Sequence, residues 1–317
     1  MFEQAKEIIN KSNTIYVVGH INPDGDAIGS SFAIYFALKK LGKNVKVLMP
    51  KYSDNFSFLP GIKEAVNEVV EEKYDLLIGV DSSAKERLAI SEEDFNKADK
   101  VIMLDHHKIS EPFGDFRYID PEIPASSQII YNFLIELGID IDKTIATYIY
   151  AGIMSDTGSF NYSSTKPSTL VIASKLMELG IDFSEICKKL NDTIKEAKLK
   201  LIAYTIDNME VYYDGKLRYS YVSYEKIKQL GLDEEDAEGM TNYLRMVEGT
   251  EVAVAVRGKS DGTNKVSMRS GGKVDVSKIA ILFGGGGHER ASGYTMPKDL
   301  ETSKKELLDV VGGMLSW

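Results

Sequence analysis

Cysteine, basic charge and long apolar runs are all scarce in this chain of 317 residues. The single cysteine, Cys187, excludes an internal disulfide and fits a reducing cytoplasm; its plainest role is that of a small buried apolar side chain. Lys and Arg number 38 against 48 Asp and Glu, a net charge of −10. Tight, sequence-independent binding of long nucleic acid wants a basic face, so long DNA is not an expected partner. A small anion held through a metal remains open. No apolar run approaches the roughly 20 residues of a membrane-spanning helix. The opening MFEQAKEIINKS lacks the basic flank and apolar core of a signal peptide, and it puts Phe2, Ala5, Ile8 and Ile9 on one helical face. These features predict a cytoplasmic protein of two domains with no membrane partner.

The first half alternates apolar strands with helical patterns. TIYVVG (14–19), NVKVLMP (44–50), YDLLIGVD (74–81) and KVIMLD (100–105) read as strands. AIGSSFAIYFALKKLG (27–42) has helical spacing and ends on Gly42, a natural C-cap, and KTIATYIYAGIMSD (143–156) reads as a buried helix ending in an acid. Continuous apolar strands separated by helices predict an α/β domain, a doubly wound, mostly parallel sheet covered on both faces. Ligands of such sheets sit outside the carboxyl ends of the strands.

Histidine is also rare, with only His20, His106, His107 and His288 in the chain. The first three fall at predicted strand ends, together with acids. HINPDGDAIGS (20–30) follows the first strand and carries His20, Asp24 and Asp26; Asp81 ends the third; Asp105, His106 and His107 end the fourth. Asp156, in GIMSDTGSF, closes the group from a helix end. Each alone has an ordinary explanation. Asp81 serves as a helix N-cap, Asp24 and Asp26 as turn residues, and a lone histidine as a structural one. Ordinary explanations do not account for their convergence on one sheet edge. Imidazoles beside carboxylates make a mixed nitrogen and oxygen metal site, which suits Mn²⁺ and admits Fe²⁺, Co²⁺ or Zn²⁺; an all-oxygen site would suit Mg²⁺ better. Asp24, Asp26, Asp81 and Asp156 bring four negative charges, which two divalent cations would neutralise. A metal pair clamps the attacking and leaving oxygens of a phosphoryl displacement. Ala27 and Gly29 let the following helix approach closely, and its N-terminus favours phosphate.

HINPDGDAIGS, VDSS (80–83), LDHH (104–107) and SDTGSF (155–160) resemble, in order, the four motifs of the DHH phosphoesterase superfamily. The resemblance covers roughly residues 14 to 160. It implies two Mn²⁺ ions, with Mg²⁺ or Co²⁺ as substitutes, that activate a bridging water. His20 and Asp24 would hold one ion, Asp26, His106 and Asp156 the other, and Asp81 would bridge them and share in catalysis. Asp105 would support from behind, and His107 would face the substrate phosphate as an acid for the leaving oxygen.

The second half has a different texture. LNDTIKEAKLKLIAYTIDNMEVYY (190–213) reads as a helix running into a strand, and KLRYSYVS (216–223) alternates as a strand. DEEDAEGMTNYLRMV (233–247) reads as a helix with acids at its positive end. EVAVAVRG and NKVSMRSGG read as two strands joined by a turn. FGGGGHERASGYT (283–295), flanked by apolar and small residues, reads as an ordered, close-packed turn whose backbone N–H groups converge on an anion, with Arg269 adding a bidentate phosphate grip. Arg269 and Ser270, followed by Gly284, Gly285, Gly286, Gly287 and His288, resemble the signature of the DHH-associated C-terminal domain. That domain, a smaller α/β unit with a mixed sheet, would hold a terminal phosphate and nucleotide across a cleft from the metals. The expected division is a catalytic domain over 1–188, a connection over 189–212 and a substrate-binding domain over 213–317.

Together the halves are most similar to the bacterial oligoribonuclease and pAp phosphatase family, whose members also hydrolyse pApA or cyclic di-AMP. No membrane, PAS-like or degenerate cyclase segment of the large cyclic di-AMP phosphodiesterases is expected. The aspartate-rich motif that replaces His20 in the DNA exonuclease branch is absent. Short RNA, pAp and (cyclic) dinucleotides are the implied substrates, and a homodimer is a family expectation. Two alternatives stand beside this reading. A manganese pyrophosphatase shares the first-domain motifs but not GGGGH, and a non-catalytic nucleotide sensor would keep the fold without the turnover.

Overall fold

The computed structural model describes residues 1–82, 84–107, 113–296 and 299–315. It divides into two compact units, residues 1–193 and 194–317. Ser83, the last residue of the VDSS stretch, lies outside the described residues.

The first unit runs α1 (Glu3–Lys11), β1 (Thr14–Val18), α2 (Gly25–Lys40), β2 (Asn44–Leu48), β3 (Tyr74–Val80), α3 (Glu92–Phe95), β4 (Ala98–Asp105), β5 (Phe116–Ile119), α4 (Ser126–Leu137), α5 (Lys143–Asp156), α6 (Pro167–Glu178) and α7 (Phe183–Cys187). All strand pairs are parallel, in the order β2-β1-β3-β4-β5. The order reverses direction between β1 and β3, the place where open sheets of this kind leave a crevice for a ligand. Alternate residues serve two cores. Ile15, Val17, Leu76, Ile78, Ile102 and Leu104 pack against α1, α2, α4 and α5, whereas Tyr16, Val18, Leu77 and Val101 face a smaller cluster with Phe95 of α3 at its edge. Burial on both faces explains why these strands read as continuous apolar runs.

Helix α2 follows β1 at once and crosses α5 closely. A Cβ placed on Gly29 would lie 2.5 Å from the Tyr148 carbonyl oxygen and 3.0 Å from Gly152, so only glycine permits the approach. Gly42 takes the left-handed conformation just beyond the helix end, as its position predicts. Cys187 is half-buried, its Sγ 3.6 Å from Met154 Sδ.

The second unit runs α8 (Glu196–Asp207), β6 (Glu210–Tyr212), β7 (Leu217–Val222), α9 (Tyr224–Gln229), α10 (Met240–Arg245), β8 (Val252–Gly258), β9 (Asn264–Ser270), α11 (Val276–Leu282), β10 (Gly286–His288), β11 (Ala291–Met296) and α12 (Leu300–Leu315). Its sheet is mixed, ordered β10-β11-β9-β8-β7-β6, with only β7 and β8 parallel. One core joins the sheet to α11 and α12; a second joins it to α8, α9 and α10. Because both faces are covered, the polar–apolar alternation of β7 does not mark a solvated face. Arg218 is buried there, its guanidinium donating to the carbonyls of Gly215 and Glu248 and to Thr250.

The helix expected over 233–247 is confined to Met240–Arg245. Gly239 sits in the left-handed region (φ 83°) and stops helical backbone from running upstream. The acids before it therefore lie in turns, where Asp236 accepts from the Asp233 N–H and pairs with Lys195. Among the described residues no helix is long and apolar enough to cross a membrane.

Candidate metal centre

Each of the polar residues read from the first-half motifs is delivered by the carboxyl edge of the sheet or by the end of α5. His20 follows β1 and is tied to the β3 side by an isolated bridge to Leu88. Asp24 is the N-cap of α2, its carboxylate accepting the N–H groups of Asp26 and Ala27 at 2.9 and 3.1 Å. Its capping role and its place in the cluster are the same geometry. Asp81 caps no helix. It ends β3 in the left-handed region (φ 53°), an uncommon conformation that Asp tolerates better than most residues. Asp105 ends β4 fully buried, and His106 and His107 follow it.

The side chains then converge. His20 Nε2 lies 3.8 Å from Asp24 Oδ1 and 3.7 Å from Asp81 Oδ2. His106 Nε2 lies 3.1 Å from Asp156 Oδ2 and 3.5 Å from Asp81 Oδ1. Three groups have ligand atoms close enough together to hold an ion: His20, Asp24 and Asp81; Asp26, His106 and Asp156; and Asp81, His106 and His107. Asp81 thus turns one oxygen toward each histidine. His107 Nδ1 also faces Asp81, at 3.6 Å, but its nearer partner is Asp105 Oδ1 at 2.9 Å.

Electrostatics show how much the cluster wants a cation. Burial, then the charge of Asp156, pushes Asp26 up to about 7. Burial and the neighbouring carboxylates, Asp26 first, hold Asp81 well above the carboxylate range. Burial would lower His106, but the adjacent carboxylates of Asp156 and Asp26 outweigh it and raise the ring to about 9. Without metal the cluster therefore gathers protons in place of cations. Asp105 Oδ2 is buried without a hydrogen-bond partner, and His106 Nε2 faces only carboxylates, Asp156 and Asp81. Three imidazoles and four crowded carboxylates fit divalent metal.

Residues with no chemical signature of their own hold this arrangement. Asp26 accepts the backbone N–H groups of Ser126 and Ser127 at 2.6 and 2.9 Å, and Ser126 Oγ donates to Asp81 Oδ1 at 2.9 Å. Neither serine is marked in the sequence by its chemistry. The available signal was the small PAS run ahead of an apolar helix, which marks a helix start but not what that start holds.

In the second unit Arg269 and Ser270 end β9, and Gly286–His288 form the edge strand of a hairpin with β11. The expected ordered turn is therefore a hairpin. Gly285 and Gly287 are sterically required, since an added Cβ would lie 2.3 Å from the Gly293 oxygen or 2.5 Å from the Ala291 oxygen. Gly284 is left-handed (φ 74°). Gly286 differs, because an added Cβ there would meet nothing within 4 Å. His288 is exposed. Ser270 is buried, its hydroxyl donating to Glu251 and accepting from the Gly272 N–H.

Residues 14–153 match the DHH family N-terminal domain, and residues 214–316 match the DHHA1 domain. The bifunctional oligoribonuclease and PAP phosphatase NrnA of Thermus thermophilus is 32% identical over 94% of this chain and 89% of its own length. The chain belongs to the DHH phosphoesterase family. It is accordingly a hydrolase of phosphoester bonds. The protein of the same name from Bacillus subtilis is 29% identical, over 94% of this chain and 97% of that one. A crystal structure of an exopolyphosphatase-related protein from Bacteroides fragilis shares the fold of this family member throughout. The TM-score is 0.91 at 28% identity, with 100% of this chain and 97% of that one covered.

Proposed function

We propose that this chain is a Mn²⁺-dependent hydrolase of short nucleotides, acting on two- to five-residue RNA, on pAp at its 3′-phosphate, and on pApA or cyclic di-AMP. Asp81 carries the reading, because its two carboxylate oxygens face different histidines, His20 on one side and His106 on the other. His20 and Asp24 serve one ion, Asp26, His106 and Asp156 the other, and Asp81 both. Bound there, two divalent cations would activate water and stabilise the attacking and leaving oxygens of the displaced phosphoryl group. Mixed nitrogen and oxygen donors favour Mn²⁺, with Co²⁺ and Mg²⁺ as substitutes.

The chain's own groups do the rest. Asp105 holds the His107 ring through Nδ1 at 2.9 Å and the His107 backbone N–H at 3.1 Å, leaving Nε2 to give a proton to the leaving oxygen. In the second unit the backbone of Gly286 and Gly287, with Arg269 and His288, holds the substrate's other phosphate; the N–H groups of Gly284 and Gly285, expected to share in this, donate instead to the carbonyls of Ile281 and Ala280. The unencumbered Gly286 supports this, since nothing within the hairpin requires a glycine there. Ser270 supports the turn beneath them. The single cysteine agrees with a reducing cytoplasm. Exposed Leu170, Val171 and Met177 of α6 agree with a homodimer, which sedimentation would test.

The deciding experiment strips metal, restores Mn²⁺, and compares phosphate release from pAp and pyrophosphate and nucleotide release from pApA and tri-ribonucleotide. Turnover of the nucleotides and not of pyrophosphate is expected. Cleavage of pyrophosphate alone, or tight nucleotide binding with no turnover, would overturn the reading.

A further inference from the structure

One short segment, Ile123–Pro124–Ala125–Ser126–Ser127, touches both halves of the metal cluster. The Ile123 carbonyl lies 3.2 Å from His106 Nδ1, so the ring donates there and leaves Nε2 for metal. The N–H groups of Ser126 and Ser127 each take one oxygen of Asp26. The Ser126 hydroxyl takes Asp81 Oδ1, the oxygen on the His106 side. Among the described residues only Ser126 bonds a carboxylate from each set, and it is fully buried. The surroundings leave little play. A Cβ on Gly152 would lie 1.9 Å from Ser127 Oγ and 2.9 Å from Asp26 Oδ1, so α5 presses on the segment from the far side.

We propose that Ser126 is the positioning residue that sets the rotation of the Asp81 carboxylate, so that its other oxygen meets the His20 and Asp24 set. A carboxylate free to turn about its last bond would serve one ion at a time. The serine hydroxyl, donating to one oxygen, makes a bridging orientation the resting state and lowers the ordering cost of metal binding. Ser12 is the control. It is likewise buried in the first unit, ahead of β1 at the other end of the strand, and its hydroxyl donates to the Ile8 carbonyl at 2.8 Å, away from the cluster. The inference rests on the two-metal reading of the site.

Calorimetric titration of metal-free protein with Mn²⁺ tests it apart from activity. Wild type should bind two ions. Ser126→Ala should bind Mn²⁺ about ten- to a hundredfold more weakly. Ser12→Ala should bind as wild type does, although both variants lose a buried hydroxyl and some metal-free melting temperature. Ser126→Thr, which keeps the donor, should recover affinity. Ser126→Cys fills the site with a much weaker donor, and it should bind weakly even where the alanine variant folds poorly. Wild-type affinity in both Ser126→Ala and Ser126→Cys, or equal weakening in Ser12→Ala, overturns the role of Ser126. A wild type that binds no Mn²⁺ overturns the two-metal reading itself, and the inference with it.

Discussion

The metal cluster of the first unit and the glycine hairpin of the second take opposite approaches to anion chemistry. In the cluster, Asp26, Asp81 and Asp105 are all but inaccessible, and Asp26 is gripped by two backbone N–H groups. In the hairpin, Gly286 to His288 are exposed, and the close packing lies beneath them, in Gly285 against Tyr294. Ligands for metal must be crowded and pre-positioned, because like charges will not assemble unaided. Backbone that receives a phosphate needs only to be ordered and bare. On the proposed function, the first region couples to stability and pH, and the second to substrate.

Breaking the cluster at its shared member should have the largest effect. Asp81→Ala should lose both ions by elemental analysis and about a thousandfold or more in turnover, because a metal pair supplies several kcal/mol of transition-state stabilisation. His20→Ala should remove chiefly one ion. An Asp81→Ala protein with two Mn²⁺ and substantial activity would refute the shared role.

Next in size is the pH dependence of the metal-free protein. Asp26 is raised from 3.8 to about 7, so its contribution is fully present below its unfolded value and is lost as pH climbs toward 7. His106 is raised from 6.5 to about 9, so its contribution is present below 6.5 and is lost as pH climbs through 9. Both slopes have one sign. Metal-free stability should fall between about pH 5 and 9, above the range of the many surface carboxylates whose lowered values give the opposite slope, by on the order of 1 kcal/mol per pH unit for each group while it titrates. Mn²⁺ should restore most at the alkaline end, where the ligands are already deprotonated. Calorimetric melting with and without chelator checks this, and a flat metal-free profile would contradict the crowding.

Smaller effects separate the hairpin from the cluster. Arg269→Ala or His288→Ala should lower kcat/KM for pAp or pApA by about ten- to two-hundredfold, the loss of one charged hydrogen bond. Hydrolysis of bis-p-nitrophenyl phosphate, which has no second phosphate, should change little, and Mn²⁺ content should stay intact. Equal losses on both substrates would end the division of labour. The smallest contrast lies within the glycines. Gly285→Ala should cost about 1–3 kcal/mol of stability through overpacking. Gly286→Ala should melt as wild type does and lose on the order of tenfold or less in kcat/KM for pAp.

Much of the cluster was legible in the sequence because its members are chemically conspicuous and sit at predictable strand ends. His20, Asp81 and His106 each follow an apolar strand, and a parallel sheet brings such ends to one edge. At 233–236 composition favours a helix, while a single left-handed glycine, Gly239, decides otherwise. Strand β5 is not legible in the sequence either; its four residues are only partly buried or exposed, too weak a pattern to stand out.

What the sequence determined by itself is the set of acids and histidines and the sheet edge that gathers them. Strand periodicity and rare residue types are local properties, readable one segment at a time. What only the tertiary structure decided is orientation. The left-handed turn at Asp81, the Ile123 carbonyl behind His106 and the Ser126 hydroxyl on Asp81 act through backbone groups or a commonplace side chain. Every residue carries such backbone groups, so no residue type announces them. Their meaning exists only once segments a hundred positions apart, Asp26 and Ser126, come into contact.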